Sequence, residues 1–96
     1  MDEGEFEWDA AKAESNLVKH GVSFEVARRV FDDVFAFERR DFDSAPGEIR
    51  YVITGMVNDV ILTVVYTERG ELTRIISARR ATKHEQEEYY RSQTAE

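Results

Sequence analysis

The sequence contains no cysteine. That excludes a disulfide framework, a thiolate metal site and a thiol nucleophile, and it fits a reducing compartment such as the cytoplasm. The single proline, Pro46, and the absence of Gly- or Ser-rich tracts leave no linker, repeat or low-complexity segment. No stretch approaches the roughly 20 apolar residues of a membrane helix. The longest apolar run, Val60–Tyr66, reads instead as a strand. The segment Met1–Glu5 is acidic and lacks an apolar core, so no secretory signal is expected. There is no P-loop, dinucleotide fingerprint or Gly-x-Ser-x-Gly elbow. Asp32-Asp33 and Asp41-x-Asp43 have neither a His-x-x-x-His pair nor EF-hand spacing beside them, so no metal and no other cofactor is expected.

Positive charge is also scarce. Thirteen Lys and Arg face 20 Asp and Glu, for a net charge of −7. Such a chain is unsuited to loose, whole-surface binding of nucleic acid, but it permits a focused cationic site and suits docking of a basic partner.

What is present is enough for a core. Of 96 residues, 42% are apolar, including six Phe, four Tyr and one Trp, which fits one domain spanning 1–96. Phe6–Asp9 alternates as a short strand does. Asp9 caps a helix over Ala10–His20 with Ala10, Ala13 and Leu17 on one face, and Gly21 closes it in the left-handed conformation. Ser23 caps a second helix with an apolar stripe at Phe24, Ala27, Val30 and Phe31, ending at Asp32-Asp33. A short strand is expected over Phe35–Arg39, then a loop from Asp41 to Gly47. Three strands follow at Arg50–Met56, Val60–Thr67 and Leu72–Ala78, joined by Asn58-Asp59 and by Glu68–Glu71, which favours antiparallel pairing. Thr82 and Glu85 form a capping box, so a last helix runs from Lys83 to about Arg91. The order β-α-α-β-β-β-β-α indicates an α+β domain with a mostly antiparallel sheet. Phe24, Phe31, Phe35 and Phe37 read as core.

The cations gather late in the chain. Between residues 69 and 84, Arg69, Arg74, Arg79, Arg80 and Lys83 face Glu71 alone, a local charge of +4. Guanidinium forks suit phosphate oxygens and stay charged at any working pH. Simple alternation puts Arg74 and Arg80 on one face of the last strand and Arg79 on the other, so convergence of Arg79 and Arg80 on one ligand requires a bend after Ala78. Glu68, beside Arg69, either acts as a base or holds the arginines. His20 either exchanges protons or complements the helix dipole. His84 and Glu88 make a solvated i,i+4 pair.

Phe6-Glu-Trp-Asp9, Lys12, Asn16, Lys19-His-Gly-Val-Ser-Phe-Glu25, Val30-Phe-Asp-Asp33, Gly47-Glu48, Arg50-Tyr51, Val65-Tyr-Thr-Glu-Arg69 and Arg74-Ile-Ile-Ser-Ala-Arg-Arg-Ala-Thr82 together resemble the BrnT family of type II toxin–antitoxin toxins. The blocks agree in order from Phe6 to Tyr90. The resemblance implies a RelE-like fold and a cytoplasmic ribonuclease that inhibits translation. It implies neutralisation by a BrnA-like ribbon-helix-helix antitoxin in a 2:2 heterotetramer, which contacts operator DNA through the antitoxin. The matching polar blocks make Glu68, Arg69, Arg79, Arg80 and His20 the candidate catalytic residues. Lys12, Lys19, Arg74 and Lys83 are the candidate RNA contacts. The expected chemistry is metal-independent: the ribose 2′-oxygen attacks the adjacent phosphate, Glu68 or His20 takes the proton, and the arginines stabilise the phosphoryl oxygens. The alternatives are a RelE-fold toxin acting on a protein such as DNA gyrase, and a non-catalytic homologue that only co-represses with its partner.

Overall fold

The computed structural model describes residues 5–42 and 47–94, so Asp43 and most of the expected 41–47 loop lie outside the described residues. The elements are β1 (Phe6–Glu7), α1 (Ala10–His20), α2 (Phe24–Ala27) running into a 3₁₀ segment (Arg28–Asp32), β2 (Phe37–Asp41), β3 (Arg50–Val57), β4 (Val60–Arg69), β5 (Leu72–Arg80) and α3 (Lys83–Thr94). They form an α+β structure around a five-stranded sheet of order β1-β5-β4-β3-β2. Every pairing is antiparallel except β1 with β5, which is parallel. Among the described residues, no helix is long and apolar enough to cross a membrane.

Local sequence chemistry sets the helix ends. The Asp9 carboxylate accepts from the N–H groups of Ala11 and Lys12, and Gly21 ends α1 at φ 72°. Ser23 accepts from Val26 N–H to start α2. That helix tightens after one turn into the 3₁₀ segment instead of continuing as α-helix. Asn58 and Asp59, at φ 51° and 69°, make the tight β3–β4 turn whose backbone twist matches a hairpin. The Thr82–Glu85 capping box forms in both directions.

One face of the sheet packs on α1, α2 and the 3₁₀ segment. Phe24, Ala27 and Val30 are fully buried there against Val64, Ile75 and Ala78. Each large side chain so buried is worth about 1.5–3 kcal/mol. Packing is close enough that a Cβ on Gly55 would lie 2.9 Å from Val30 Cγ1 and 3.0 Å from Ala36 Cβ. The other face carries α3 at one end, where Tyr89 of the helix packs with Ile61, Ala81, Phe37 and Met56. Phe37 thus belongs to this second cluster, whereas Phe35 is 51% exposed and outside both. On α1 the buried residue is Asn16, and Leu17 is half exposed. The Asn16 side chain donates to the carbonyls of Ala78 (2.8 Å) and Val22 (3.0 Å) and accepts from Ala78 N–H (3.1 Å). It therefore satisfies β5 backbone beyond the two positions that β1 pairs.

Two sequence-based expectations fail in β5. The strand stays extended through Arg80, so no bend follows Ala78. Its register also shifts: Val65 pairs with Ser77, but Tyr66 pairs with Ile75, leaving Ile76 as an extra residue. An inserted residue inverts the alternation across it. Arg74 and Arg79 therefore share the α3 face, while Arg80 points to the α1 face with Ala78.

Candidate functional site

A row of directly paired residues crosses all five strands on the α3 face. Asp41 faces Arg50, Arg50 faces Thr67, Thr67 faces Arg74 and Arg74 faces Glu7. The row lies at the end of the sheet away from α3, beside the β4–β5 turn. Arg74 Nη1 and Arg69 Nε stand 3.5 and 3.6 Å from the same oxygen, Glu7 Oε2. Arg50 Nε donates to Glu48 Oε1 at 2.6 Å, and Thr67 Oγ1 donates to the Ile49 carbonyl at 2.6 Å. Gly47, Glu48, Ile49, Tyr51, Thr67, Glu68, Arg69 and Arg74 line a groove of about 450 Å³ here. Nearby, the N–H groups of Lys12 and Ala11 hold the Asp9 carboxyl below its usual range, with weaker pulls from Lys12 and Arg74 charges.

Glu68 enters the groove from the opposite parity to Arg69 and Arg74, beside the rings beneath it. Tyr51 stacks on Tyr66 with centroids 5.4 Å apart, and Phe31 meets Tyr66 edge-on at 5.0 Å. Tyr66 donates to Glu38. Burial first, then that carboxylate, raises the Tyr66 pKa well above its ordinary value, with a smaller push from Glu68. Tyr66 is thus a neutral donor packed against Tyr51, which lines the groove.

Arg79 belongs to a different environment. Its Nη1 and Nη2 donate to the two Glu85 oxygens at 2.8 and 3.0 Å. Glu85 also accepts from Thr63 Oγ1 (2.9 Å) and Thr82 N–H (2.8 Å), and Thr63 shares a hydrogen bond with Thr54. The Arg79 fork is the main reason the Glu85 carboxyl is pulled down to about 2, and Glu85 in turn raises Arg79. Arg80, on the other face, shares a cleft with Leu17, Gly21, Val22 and Leu62. His20 is exposed on the last turn of α1, next to that cleft. Lys12 and Lys19 are exposed on α1, and Lys83 on the first turn of α3. His84 and Glu88 pair at 3.8 Å.

Of the residues singled out from sequence, then, Glu68, Arg69 and Arg74 come together. Arg79, Arg80 and His20 join neither that group nor one common site. Glu7, Glu48, Arg50 and Thr67 join the site without having been candidate site residues from the sequence. The signal for part of this was present: hairpins turning at Asn58-Asp59 and at Gly70-Glu71 place Arg50, Thr67 and Arg74 side by side. Glu7 had no such signal, because β1 is a two-residue parallel strand.

A second cavity, about 540 Å³, lies at the other end of the sheet. Arg29, Asp32, Asp33, Phe35, Asp59, Tyr89 and Tyr90 are among its walls. Asp33 Oδ2 accepts from Tyr89 Oη (2.5 Å) and Met56 N–H (2.7 Å). Burial opposes its charge, but these bonds and one from Phe35 N–H leave its pKa lowered. Burial and the Asp33 carboxylate push Tyr89 up to about 12. Among the described residues, no three His, Asp or Glu side chains gather as a metal-ligating group.

No curated protein matches the sequence significantly. A family described as the ribonuclease toxin, BrnT, of type II toxin–antitoxin systems matches residues 8–85. That span runs from Trp8, beside β1, to Glu85 in the capping box of α3, and takes in Arg50, Thr67, Arg69, Arg74 and Arg79. The chain belongs to the BrnT family of ribonuclease toxins.

Proposed function

We propose that the chain is a metal-independent endoribonuclease that cleaves its substrate in the groove beside the β4–β5 turn. The observation that carries this reading is the convergence of two guanidiniums, Arg69 and Arg74, on a single anionic oxygen at an open groove. A phosphodiester is the anion that such a fork suits in a ribonuclease. Glu68 lines the groove and takes the proton from the ribose 2′-hydroxyl. The 2′-oxygen attacks phosphorus, a 2′,3′-cyclic phosphate forms, and the 5′-oxygen leaves with a proton from water in the open groove. Arg69 and Arg74 stabilise the charge growing on the phosphoryl oxygens, and arginine cannot be the base because it stays protonated. Arg79 holds α3 against the sheet, while Arg80, His20, Lys12, Lys19 and Lys83 contribute outlying positive charge along the bound RNA.

The domain acts in the cytoplasm and blocks translation by destroying RNA. Its partner is a BrnA-like ribbon-helix-helix antitoxin in a 2:2 complex. The acidic cleft of Asp32, Asp33 and Asp59, with Phe35 and Tyr90 exposed on its walls, suits a basic segment bearing apolar side chains. Incubating purified protein with RNA, with and without chelator, tests the activity. Cleavage undiminished by chelator is expected. Cleavage only with added metal overturns the metal-free step, and intact RNA from a protein that still arrests growth points to a protein target such as gyrase.

A further inference from the structure

We propose that RNA bound at the groove follows a two-phosphate track, with one phosphate seated at Arg69 and Arg74 in the groove wall and another at Arg50, which lies beside the groove between its lining residues Ile49 and Tyr51, and that Glu7 and Glu48 occupy those two seats in the free protein. This rests on the groove being the RNA site and adds Arg50 as a binding residue.

Arg50 and Arg74 flank Thr67 on neighbouring strands. They are two strand spacings apart, about 10 Å. At about 3.4 Å of rise per stacked nucleotide, that distance spans more than one phosphate. Each guanidinium is already engaged by a carboxylate from its own chain: Glu48 at 2.6 Å from Arg50, and Glu7 at 3.5 and 3.6 Å from Arg74 and Arg69. Carboxylate and phosphate oxygens bind a guanidinium in the same way, so each glutamate stands where a phosphoryl oxygen would. Neither is a deep ion pair. Side-chain exposures are 60% for Arg69, 27% for Arg74 and 30% for Glu7 at one seat, and 32% and 41% for Arg50 and Glu48 at the other. Exposed pairs are held weakly, and salt screens them. Glu7 rides on a two-residue edge strand, and Glu48 precedes β3 in the loop that lines the groove, so either carboxylate can swing aside. In a chain of net charge −7, such occupants keep stray anions out of the groove and make entry a competition that only a polyanion wins.

The test is binding of a short RNA with 2′-O-methyl riboses, which cannot attack, followed by fluorescence anisotropy across a salt series. Arg50→Gln is expected to weaken binding about tenfold and to lower the log–log salt slope by about 0.7, the loss of one phosphate contact on a single strand. Arg50→Lys should recover most of the slope. Glu7→Gln and Glu48→Gln, which free the guanidiniums, should each tighten binding by about two- to tenfold. Unchanged affinity and slope for Arg50→Gln, or unchanged or weaker binding for either glutamate variant, overturns the proposal. If Arg50→Gln does not fold, Glu48→Gln tests the same seat with the arginine in place. Arg74→Gln separates the two levels: if it binds normally, the groove is not the RNA site, whereas if it binds poorly while Arg50→Gln binds normally, only the second seat is wrong.

Discussion

The β5 strand carries two arginines on one face of the sheet, and they are held in opposite ways. Arg79 sits under the start of α3, gripped through both terminal nitrogens at 2.8 and 3.0 Å by a carboxylate that is only 14% exposed. Arg74 sits at the open end, sharing one glutamate oxygen with Arg69 at 3.5 and 3.6 Å. The first has its fork filled and its partner locked by Thr63 and Thr82. The second has donors to spare and a groove in front of them. A charge run that looks uniform in sequence is thus divided into a clamp that fixes a helix and a site that can receive an anion.

The division can be broken from either side. The largest effect is expected at the open site. Replacing Arg69 and Arg74 together by Ala should cut the RNA-cleavage rate of purified protein by at least about 10³, with little change in melting temperature, since each donor to a developing oxyanion is worth about 10²–10³. At the clamp the effect should fall on stability. Glu85→Ala strips Arg79 of its carboxylate partner, Thr63 of one hydrogen bond and the α3 capping box of its glutamate half, costing about 2–3 kcal/mol in urea denaturation.

The clamp should also show in acid. Glu85 sits at about 2 against an ordinary 4.5, so its contribution is complete above about pH 4.5 and fades as pH falls toward 2. Unfolding followed by circular dichroism between pH 5 and 2 should lose that increment in the parent protein and not in Glu85→Gln. Alkali probes Tyr89, raised from an ordinary 10.0 to about 12. Its contribution is present below pH 10 and lost on approach to pH 12, and Tyr89→Phe should flatten stability across that window. The smallest effect is expected at His20, exposed on α1 in the helical layer: His20→Ala should leave the cleavage rate within about twofold.

Much of the frame could be read in the sequence because it is written locally. Asp9, Gly21, Ser23, Asn58-Asp59 and the Thr82–Glu85 box each fix backbone within a few residues, and each acts as expected. The bulge at Ile76 is different. It depends on how β5 meets β4, and it moved Arg74 from the expected face of Arg80 to that of Arg79, while Arg79 and Arg80 stay on opposite faces as alternation requires. Glu7 was hidden for a similar reason: two residues of β1 pair in parallel with a strand more than 60 positions away. Arg79 was legible as a cation, but its partner Glu85 reads in sequence only as a cap, and the fold gives that carboxylate two further tasks.

The most direct test sets the two arginines of one strand face against each other. Arg74→Ala and Arg79→Ala should be assayed for RNA cleavage at a temperature where both are folded by circular dichroism. The account predicts a loss of about 10²–10³ for Arg74→Ala. For Arg79→Ala it predicts a lowered melting temperature with a rate within about tenfold of the parent. Full activity in Arg74→Ala, or abolished cleavage in a stably folded Arg79→Ala, contradicts it.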